Sequence, residues 1–187
     1  MMSSKKILIS WVAPIMPSIS IAGIPLGARV EDIECALARY LVDESKRLYQ
    51  FEKSPVLMLK TYGVDEDGSG GCSFSLYDDK DINVLLKGTP ALSLIFRESR
   101  VYAVKVYDFS FCGERARDFV YKGLFSGIIG LGDLVSDLLS LTYLYFDDVE
   151  EWFDIEKAQG GLEVTGWGVP LDEQPDQVIT AFCVVHK

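Results

Sequence analysis

The pattern of apolar and polar positions predicts a strand followed by a long amphipathic helix in the first part of the chain. Residues 5–12, KKILISWV, are rich in aliphatic and β-branched side chains, which favour a strand, and Pro14 ends the run. Between Val30 and Phe51, apolar residues such as Ile33 and Leu37 recur at helical spacing, with charged residues off that face. Residues 30–51 are therefore predicted to form a helix.

A series of strand-like runs follows, separated by short polar breaks. Sequences such as DEDGSGG (65–71), DDKD (78–81) and RESR (97–100) suit hairpin turns and are too short for helical crossovers. The middle of the chain is therefore predicted to be an antiparallel meander. Its strands are placed at 55–62, 72–77, 82–86, 91–96 and 101–111.

The last third of the chain predicts a second helix and further strands. Asp133 is a suitable N-cap residue, and a helix is expected from it to about Tyr145. The final run, VITAFCVVH, is apolar on both faces and predicts a central strand covered on both sides. The fold class is therefore α+β, an antiparallel β-sheet meander with two main helices, in one domain spanning 1–187. The predicted strands of this part are 151–156, 162–167 and 178–186.

An internal similarity raises the alternative of two tandem helix-plus-sheet repeats. An offset of 105 residues aligns IPLGARVEDIECAL, from Ile24, with IGLGDLVSDLLSLT, from Ile129. In this alignment Gly27 meets Gly132. The pseudo-repeat halves would be 1–100 and 101–187. Chance matching of such common residues is the competing explanation.

The charge of the chain is concentrated in one segment. The protein has 28 acidic and 18 basic residues, a formal net charge of -10. Ten of the acids lie between Asp147 and Asp176, where Lys157 is the sole basic residue. Such a field repels nucleic acids and anionic membranes and attracts basic proteins, so neither nucleic acid nor membrane is predicted as a partner.

The four cysteines favour a cytoplasmic protein. The cysteines are far apart, with no C-x-x-C pair, which predicts free thiols in a reducing compartment. The apolar segment before Ala22 follows two lysines and imitates a signal peptide, so secretion with cleavage after Ala22 is the alternative. No apolar run reaches the roughly 18 residues that a membrane-spanning helix needs.

Several motifs with catalytic or ligand-binding precedents are incomplete. The glycines from Gly123 to Gly132 do not form a phosphate loop, because an acid rather than a lysine follows, and a strand-to-helix turn is favoured. The loop 65–71 starts like an EF-hand, but Leu76 stands where the twelfth-position glutamate is needed. The single histidine, His186, removes Ser-His-Asp and Cys-His chemistry from consideration unless the chain end folds into a site. No catalytic residue, metal or cofactor is predicted.

The acidic segment FDDVEEWFDIE alternates acids with large side chains. In a strand over 151–156, Glu151, Phe153 and Ile155 would face one way and Trp152, Asp154 and Glu156 the other, which divides the acids and makes a poor metal cage. The aromatic side chains around it are either core residues of a half-buried strand or anchors of a protein-binding patch. They are Tyr143, Tyr145, Phe146, Trp152, Phe153 and Trp167.

The C-terminal half resembles a family of small bacterial proteins. The sequences VYKGLFSGIIGLGDLVSDLL, LYFDDVEEWF, GGLEVTGW and VITAFCVV, within 91–187, are similar to immunity proteins encoded beside polymorphic or contact-dependent toxins. A looser resemblance is to β-lactamase inhibitory proteins, which also combine helices with antiparallel sheets. Neither family supplies an invariant functional residue that can be assigned here.

The resemblance implies a non-enzymatic inhibitor that neutralises a cognate basic toxin, for example a nuclease. A metal-dependent enzyme with paired carboxylates and a structural adaptor are the alternatives, and the sequence does not determine the oligomeric state. The predicted partner-binding residues form an acidic stretch and a second acidic loop: Asp147, Asp148, Glu150, Glu151, Trp152, Asp154 and Glu156, with Asp172, Glu173 and Asp176.

Overall fold

An antiparallel sheet dominates the computed structural model, which describes residues 6–155 and 161–186. Over these residues, ten strands join in the order β3-β4-β5-β6-β7-β8-β12-β11-β10-β9, and a separate hairpin pairs β1 with β2. The α+β meander predicted from the sequence is confirmed. The strands are β1 Ser20–Ile21, β2 Ile24–Pro25, β3 Leu41–Asp43, β4 Leu48–Tyr49, β5 Leu57–Val64, β6 Gly70–Leu76, β7 Leu92–Arg97, β8 Arg100–Tyr107, β9 Leu144–Asp147, β10 Trp152–Ile155, β11 Leu162–Thr165 and β12 Ala181–Val185.

The helices are shorter than predicted. The α-helix of the described residues, α1, spans Val30–Ala38, and 3-10 helices span Val84–Leu86, Arg115–Phe119 and Val135–Ser140. The predicted strand at 82–86 is therefore wrong, because that segment contains the first 3-10 helix. A strand at 5–12 is also wrong for the residues from Lys6 onward, which form no strand and make one isolated bridge, from Ser10 to Glu52.

The long helix over 30–51 is wrong beyond Ala38. The carboxylate of Asp43 accepts hydrogen bonds from the Ser45 hydroxyl and the Lys46 amide, which closes a turn that competes with the helix. β3 and β4 then form a hairpin at the sheet edge, and Leu48 pairs with Met58 of β5. Leu48 is buried by this pairing, as a helix would also have buried it. The apolar spacing therefore fitted both structures.

The second helix is a 3-10 helix over Val135–Ser140, and Asp133 is not its cap. The N-cap position is Leu134, without a side-chain cap, and the Asp133 carboxylate accepts from the Gly130 amide. The helix ends early because Leu144–Asp147 pairs with β10, where Phe146 packs against Phe153. The rings of Phe146 and Phe153 lie 4.9 Å apart.

Matching hydrogen bonds attach the two aligned segments to the sheet. Gly27 and Gly132 both have positive φ, +74° and +82°, and each lies three residues before a helix. The Gly27 amide donates to the Val101 carbonyl, and the Gly132 amide donates to the Ile179 carbonyl, both at 2.8 Å. The two segments aligned by the offset of 105 therefore share one local geometry. Matched bonds of 3.0 Å also join the Val30 amide to Ser99 O and the Val135 amide to Gln177 O.

The two faces of the sheet differ in cover. On the core face, Phe74, Val104 and Phe182 are buried together with α1 and residues of the segments 9–37 and 116–138. The opposite face, called the open face here, carries a small cluster of Ala103, Cys183 and Val185, packed only by sheet residues. Every residue of β12 is buried, and β12 is a central strand as predicted, with β8 and β11 as its neighbours. On the open face, side chains of neighbouring strands cover it in place of a second layer of the fold.

Candidate functional site

The turn between β9 and β10 is acidic, exposed and ordered. The carboxylate of Asp147 accepts from the amides of Val149 at 2.8 Å and Glu150 at 3.1 Å. The hydrogen bond from the Glu150 amide, and after it the one from Val149, lowers the pKa of the Asp147 carboxyl. The Glu151 amide donates to Asp147 O at 2.8 Å, and Glu151 has φ of +60°. Residues 144–155 are called the acidic hairpin below.

The predicted acidic stretch is divided by this hairpin into two groups. Asp147, Asp148, Glu150 and Glu151 are exposed in the turn. Trp152 and Asp154 are half-buried on the open face, while Phe153 and Ile155 are buried on the core face. The predicted division is therefore confirmed for residues 152–155, but Glu151 lies in the turn and not on the strand face of Phe153. Glu156 lies outside the described residues.

The six aromatic side chains around the acids also divide. Phe153 is buried and Phe146 packs against the core. Tyr143, Tyr145 and Trp167 are exposed by 69%, 60% and 54%, and Val149 at the turn is 89% exposed. These exposed side chains add little to the packing of the core, so they are available to a partner.

The second acidic loop is held in place by a buried glutamine. Gln177 has no exposed surface, and its Nε2 donates to Val169 O at 2.9 Å and to Gln174 O at 3.0 Å. Its Oε1 accepts from the Trp167 amide at 3.1 Å. A Cβ on Gly166 would lie 2.4 Å from this Oε1, so the close approach needs glycine. Gln177 thus joins three points of the loop over 166–176, in which Asp172, Glu173 and Asp176 are exposed.

The two acidic elements are neighbours in space. The Thr165 hydroxyl donates to Glu151 O at 3.0 Å, which ties the end of β11 to the turn of the acidic hairpin. A Cβ on Gly168 would lie 3.0 Å from the Glu151 carboxylate, so the loop 166–176 starts against the same turn. The structure therefore brings together two segments that the sequence indicated separately.

A groove on the open face adjoins the acidic hairpin and was missed by the sequence reasoning. It has a volume of about 300 Å³ and contains two aromatic rings, each with a cation over it. Lys105 Nζ lies 4.6 Å from the Trp152 ring centre, and Arg97 Cζ lies 3.7 Å from that of Tyr102. The groove is lined by Ile95, Arg97, Tyr102, Ala103, Lys105, Asp147, Glu150, Trp152, Asp154, Glu163, Cys183 and Val185.

Strand register assembles this groove. Tyr102 is the extra residue of a β-bulge, because Ala103 pairs with Ile95 and Val101 pairs with Phe96. A bulge redirects side chains, and here it adds Tyr102 to the face that carries Ala103. A row of residues in register crosses the open face at the level of Lys105. It runs Ser73, Ser93, Lys105, Cys183, Glu163, Asp154 and Tyr145.

The motifs set aside in the sequence have structural roles. The loop 65–71 is the β5–β6 turn, in which the Asp67 carboxylate accepts from the Ser69 amide. Gly132 uses its amide on Ile179 O and so has no amide to offer a phosphate. Among the described residues, no group of three or more His, Cys, Asp and Glu is placed to hold a metal ion. None of the four cysteines forms a disulfide bond; Cys72 and Cys183 are buried, and Cys35 and Cys112 are exposed.

No helix among the described residues combines the length and apolar character needed to span a membrane. Comparisons with protein families, curated proteins and solved structures found no match to the chain.

Proposed function

We propose that this protein is a non-enzymatic inhibitor of the immunity-protein type, which binds a basic bacterial toxin domain in the cytoplasm. The observation that carries the proposal is the acidic hairpin itself. Its turn presents Asp148 and Glu150 to solvent, and Tyr145 and Val149 of the same hairpin are also exposed. Neither carboxylate makes an ion pair with any residue that the structure describes.

The charge distribution supports a protein partner. The loop 166–176 lies beside the hairpin turn and extends the same negative surface with Asp172, Glu173 and Asp176. A one-signed surface raises the association rate of an oppositely charged protein, and aromatic side chains supply the short-range contacts. A toxin that acts on nucleic acid has a cationic groove, which an acidic protein can occupy in place of the phosphates. A total buried area of about 1,600 Å² suffices for a tight complex.

The first test concerns the partner. We expect the product of the gene immediately upstream to co-purify with this protein in a one-to-one complex. Co-expression of this protein should rescue cells from the toxicity of the upstream gene product. A neighbouring product that neither binds nor is neutralised contradicts the proposal.

The second test locates the surface by charge reversal. Asp148→Lys with Glu150→Lys reverses two of the five acidic charges of the hairpin and keeps Asp147, which shapes the turn. Asp65→Lys with Glu66→Lys makes the same change of charge in the exposed β5–β6 turn and is the matched control. The hairpin variant should lower the association rate about tenfold or more at low salt and flatten its salt dependence. Equal effects of both variants would show that net charge, not this surface, governs binding.

A further inference from the structure

The groove on the open face has the chemistry of a cation site. Its floor is apolar, formed by the buried residues Ala103, Cys183 and Val185. Trp152 and Tyr102 stand on this floor, and carboxylates line the groove on the side of the acidic hairpin. Aromatic faces and carboxylates both attract cations, and an apolar floor reduces the competition from water.

Two of these carboxylates lie directly opposite each other. Asp154 of β10 pairs with Glu163 of β11, so their Cβ atoms are about 5 Å apart on one face. Both carboxylates take part in interactions within the chain, and because a carboxylate has about four lone-pair sites, each can also accept hydrogen bonds from an added guanidinium. Trp152 lies two residues before Asp154 in β10, so its side chain is on the same face as this pair.

The protein already places its own cations on this face. Lys105 lies over the Trp152 ring, and Arg97 lies over the Tyr102 ring. Lys105 belongs to the same cross-strand row as Glu163, two strand spacings away. The geometry shows that the Trp152 face accommodates a cationic group, and the long stem of Lys105 allows that group to leave.

We propose that this groove receives an arginine side chain from an extended basic segment of the protein partner. The guanidinium stacks on Trp152 in place of the Lys105 ammonium, and Asp154 and Glu163 accept its hydrogen bonds. Arginine fits better than lysine because its planar guanidinium both stacks on rings and pairs with carboxylates in two places. The inference rests on the proposed inhibitor function and adds to it the residue that the partner supplies.

Continuity with the acidic hairpin favours a protein segment over a free small cation. Asp147 and Glu150 line the groove and also belong to the hairpin turn. A partner attracted by the turn therefore meets the groove without a further rearrangement. A strand or loop with alternating side chains could place one arginine in the groove while its backbone crosses the open face.

The test uses a defined peptide and the indole signals of the three tryptophans. The probe is a peptide of alternating arginine and glycine, and its control replaces arginine by citrulline, which is similar in shape and uncharged. In ¹H–¹⁵N spectra of the full chain we expect the arginine peptide to shift the Trp152 signal. The signal of Trp11, which is buried and donates to Phe119 O, should stay in place. Equal binding of the citrulline peptide, or a shift confined to Trp167, overturns the proposal.

Variants of the groove test the assigned roles. Trp152→Leu should weaken peptide binding about twofold to thirtyfold, the range for a cation on a ring. Glu163→Gln should weaken it about fivefold. Lys105→Met, which keeps the stem and removes the competing charge, should strengthen it. Weaker binding by Lys105→Met would show that the ammonium is not a placeholder and would overturn the exchange.

The two levels of the proposal fail separately. If the upstream gene product binds and responds to Asp148→Lys with Glu150→Lys but not to Glu163→Gln or Trp152→Leu, the groove is not used and the inhibitor function stands. If the arginine peptide binds at Trp152 while no basic partner binds the protein, the inhibitor function fails and the cation site stands.

Discussion

The guanidinium of Arg117 lies against Gly132 so closely that a Cβ on the glycine would stand 1.7 Å from Nη2. The same guanidinium pairs with the buried carboxylate of Asp108 and donates to Leu131 O at 2.9 Å. Gly132 also has φ of +82°. The glycine is therefore required both for its backbone conformation and for the room that Arg117 takes.

Gly132→Ala should destabilise the protein by about 3 kcal/mol or more, because it strains the backbone and displaces Arg117 from Asp108. The free energy of unfolding in urea measures the loss. Gly127→Ala is the matched control, since Gly127 has φ of +76° and nothing within 4 Å of its Cβ position. The control should cost about 1–2 kcal/mol, the left-handed conformation alone. Equal losses would show that the contact with Arg117 adds nothing.

Asp108→Asn should cost about 2–4 kcal/mol, because it leaves Arg117 beside a neutral group in a largely buried site. The Asp108 carboxylate also accepts from the Ser110 amide at 2.9 Å and hydroxyl at 2.7 Å. The surface pair of Arg115 and Asp81, 3.8 Å apart, provides the comparison. Asp81→Asn should cost less than about 1 kcal/mol, as exposed pairs do. Urea unfolding distinguishes the two, and similar costs would contradict the structural role of Arg117.

The strands and hairpins could be predicted because their signals are local. The RESR break forms a tight turn in which Glu98 and Ser99 have φ of +50° and +58°. By contrast, the spacing of apolar residues in 41–49 fits a helix and a short hairpin equally. The pairing of Leu48 with Met58 decides between them, and the sequence pattern gives no account of such a distant partner. Helix propensity was overridden by tertiary pairing.

The acidic part of the candidate site could be read from composition, but the groove could not. The groove depends on the bulge at Tyr102 and on the row that brings Lys105 to the level of Glu163. Both follow from strand order and register, which join residues about 60 positions apart. No local spacing in the sequence signals them. The loop around Gln177 was likewise missed, since a buried glutamine leaves no periodic pattern.

Stability should fall at alkaline pH because of Cys72. Burial is the main cause that raises the pKa of the Cys72 thiol from 9.0 to about 12. A folded-state pKa above the unfolded value means that the thiol stabilises the fold fully below pH 9. This contribution is lost as pH rises toward the folded value, with a limiting slope of about 1.4 kcal/mol per pH unit.

Urea unfolding between pH 8 and 11 tests this dependence. Cys72→Val, which keeps an apolar side chain of similar size, should reduce the slope of stability with pH. Cys35→Ser, at an exposed thiol, is the control and should leave the slope unchanged. An unchanged slope in Cys72→Val would assign the alkaline loss to other groups, such as the buried Tyr121, whose pKa is also raised by burial.

Gln177→Leu should release the loop 166–176 from the acidic hairpin. The substitution leaves the Trp167 amide and the carbonyls of Val169 and Gln174 without their partner, which costs about 2–4 kcal/mol. Amide hydrogen exchange should accelerate in 166–176. In β12 it should change only as much as the loss in the global free energy of unfolding requires. Gln174→Ala, in the same loop but half-buried, should leave the exchange pattern intact. If partner binding uses both acidic elements, Gln177→Leu should also slow association although no charge has changed. Unchanged exchange and association in this variant would show that the loop is held by its backbone and not by Gln177.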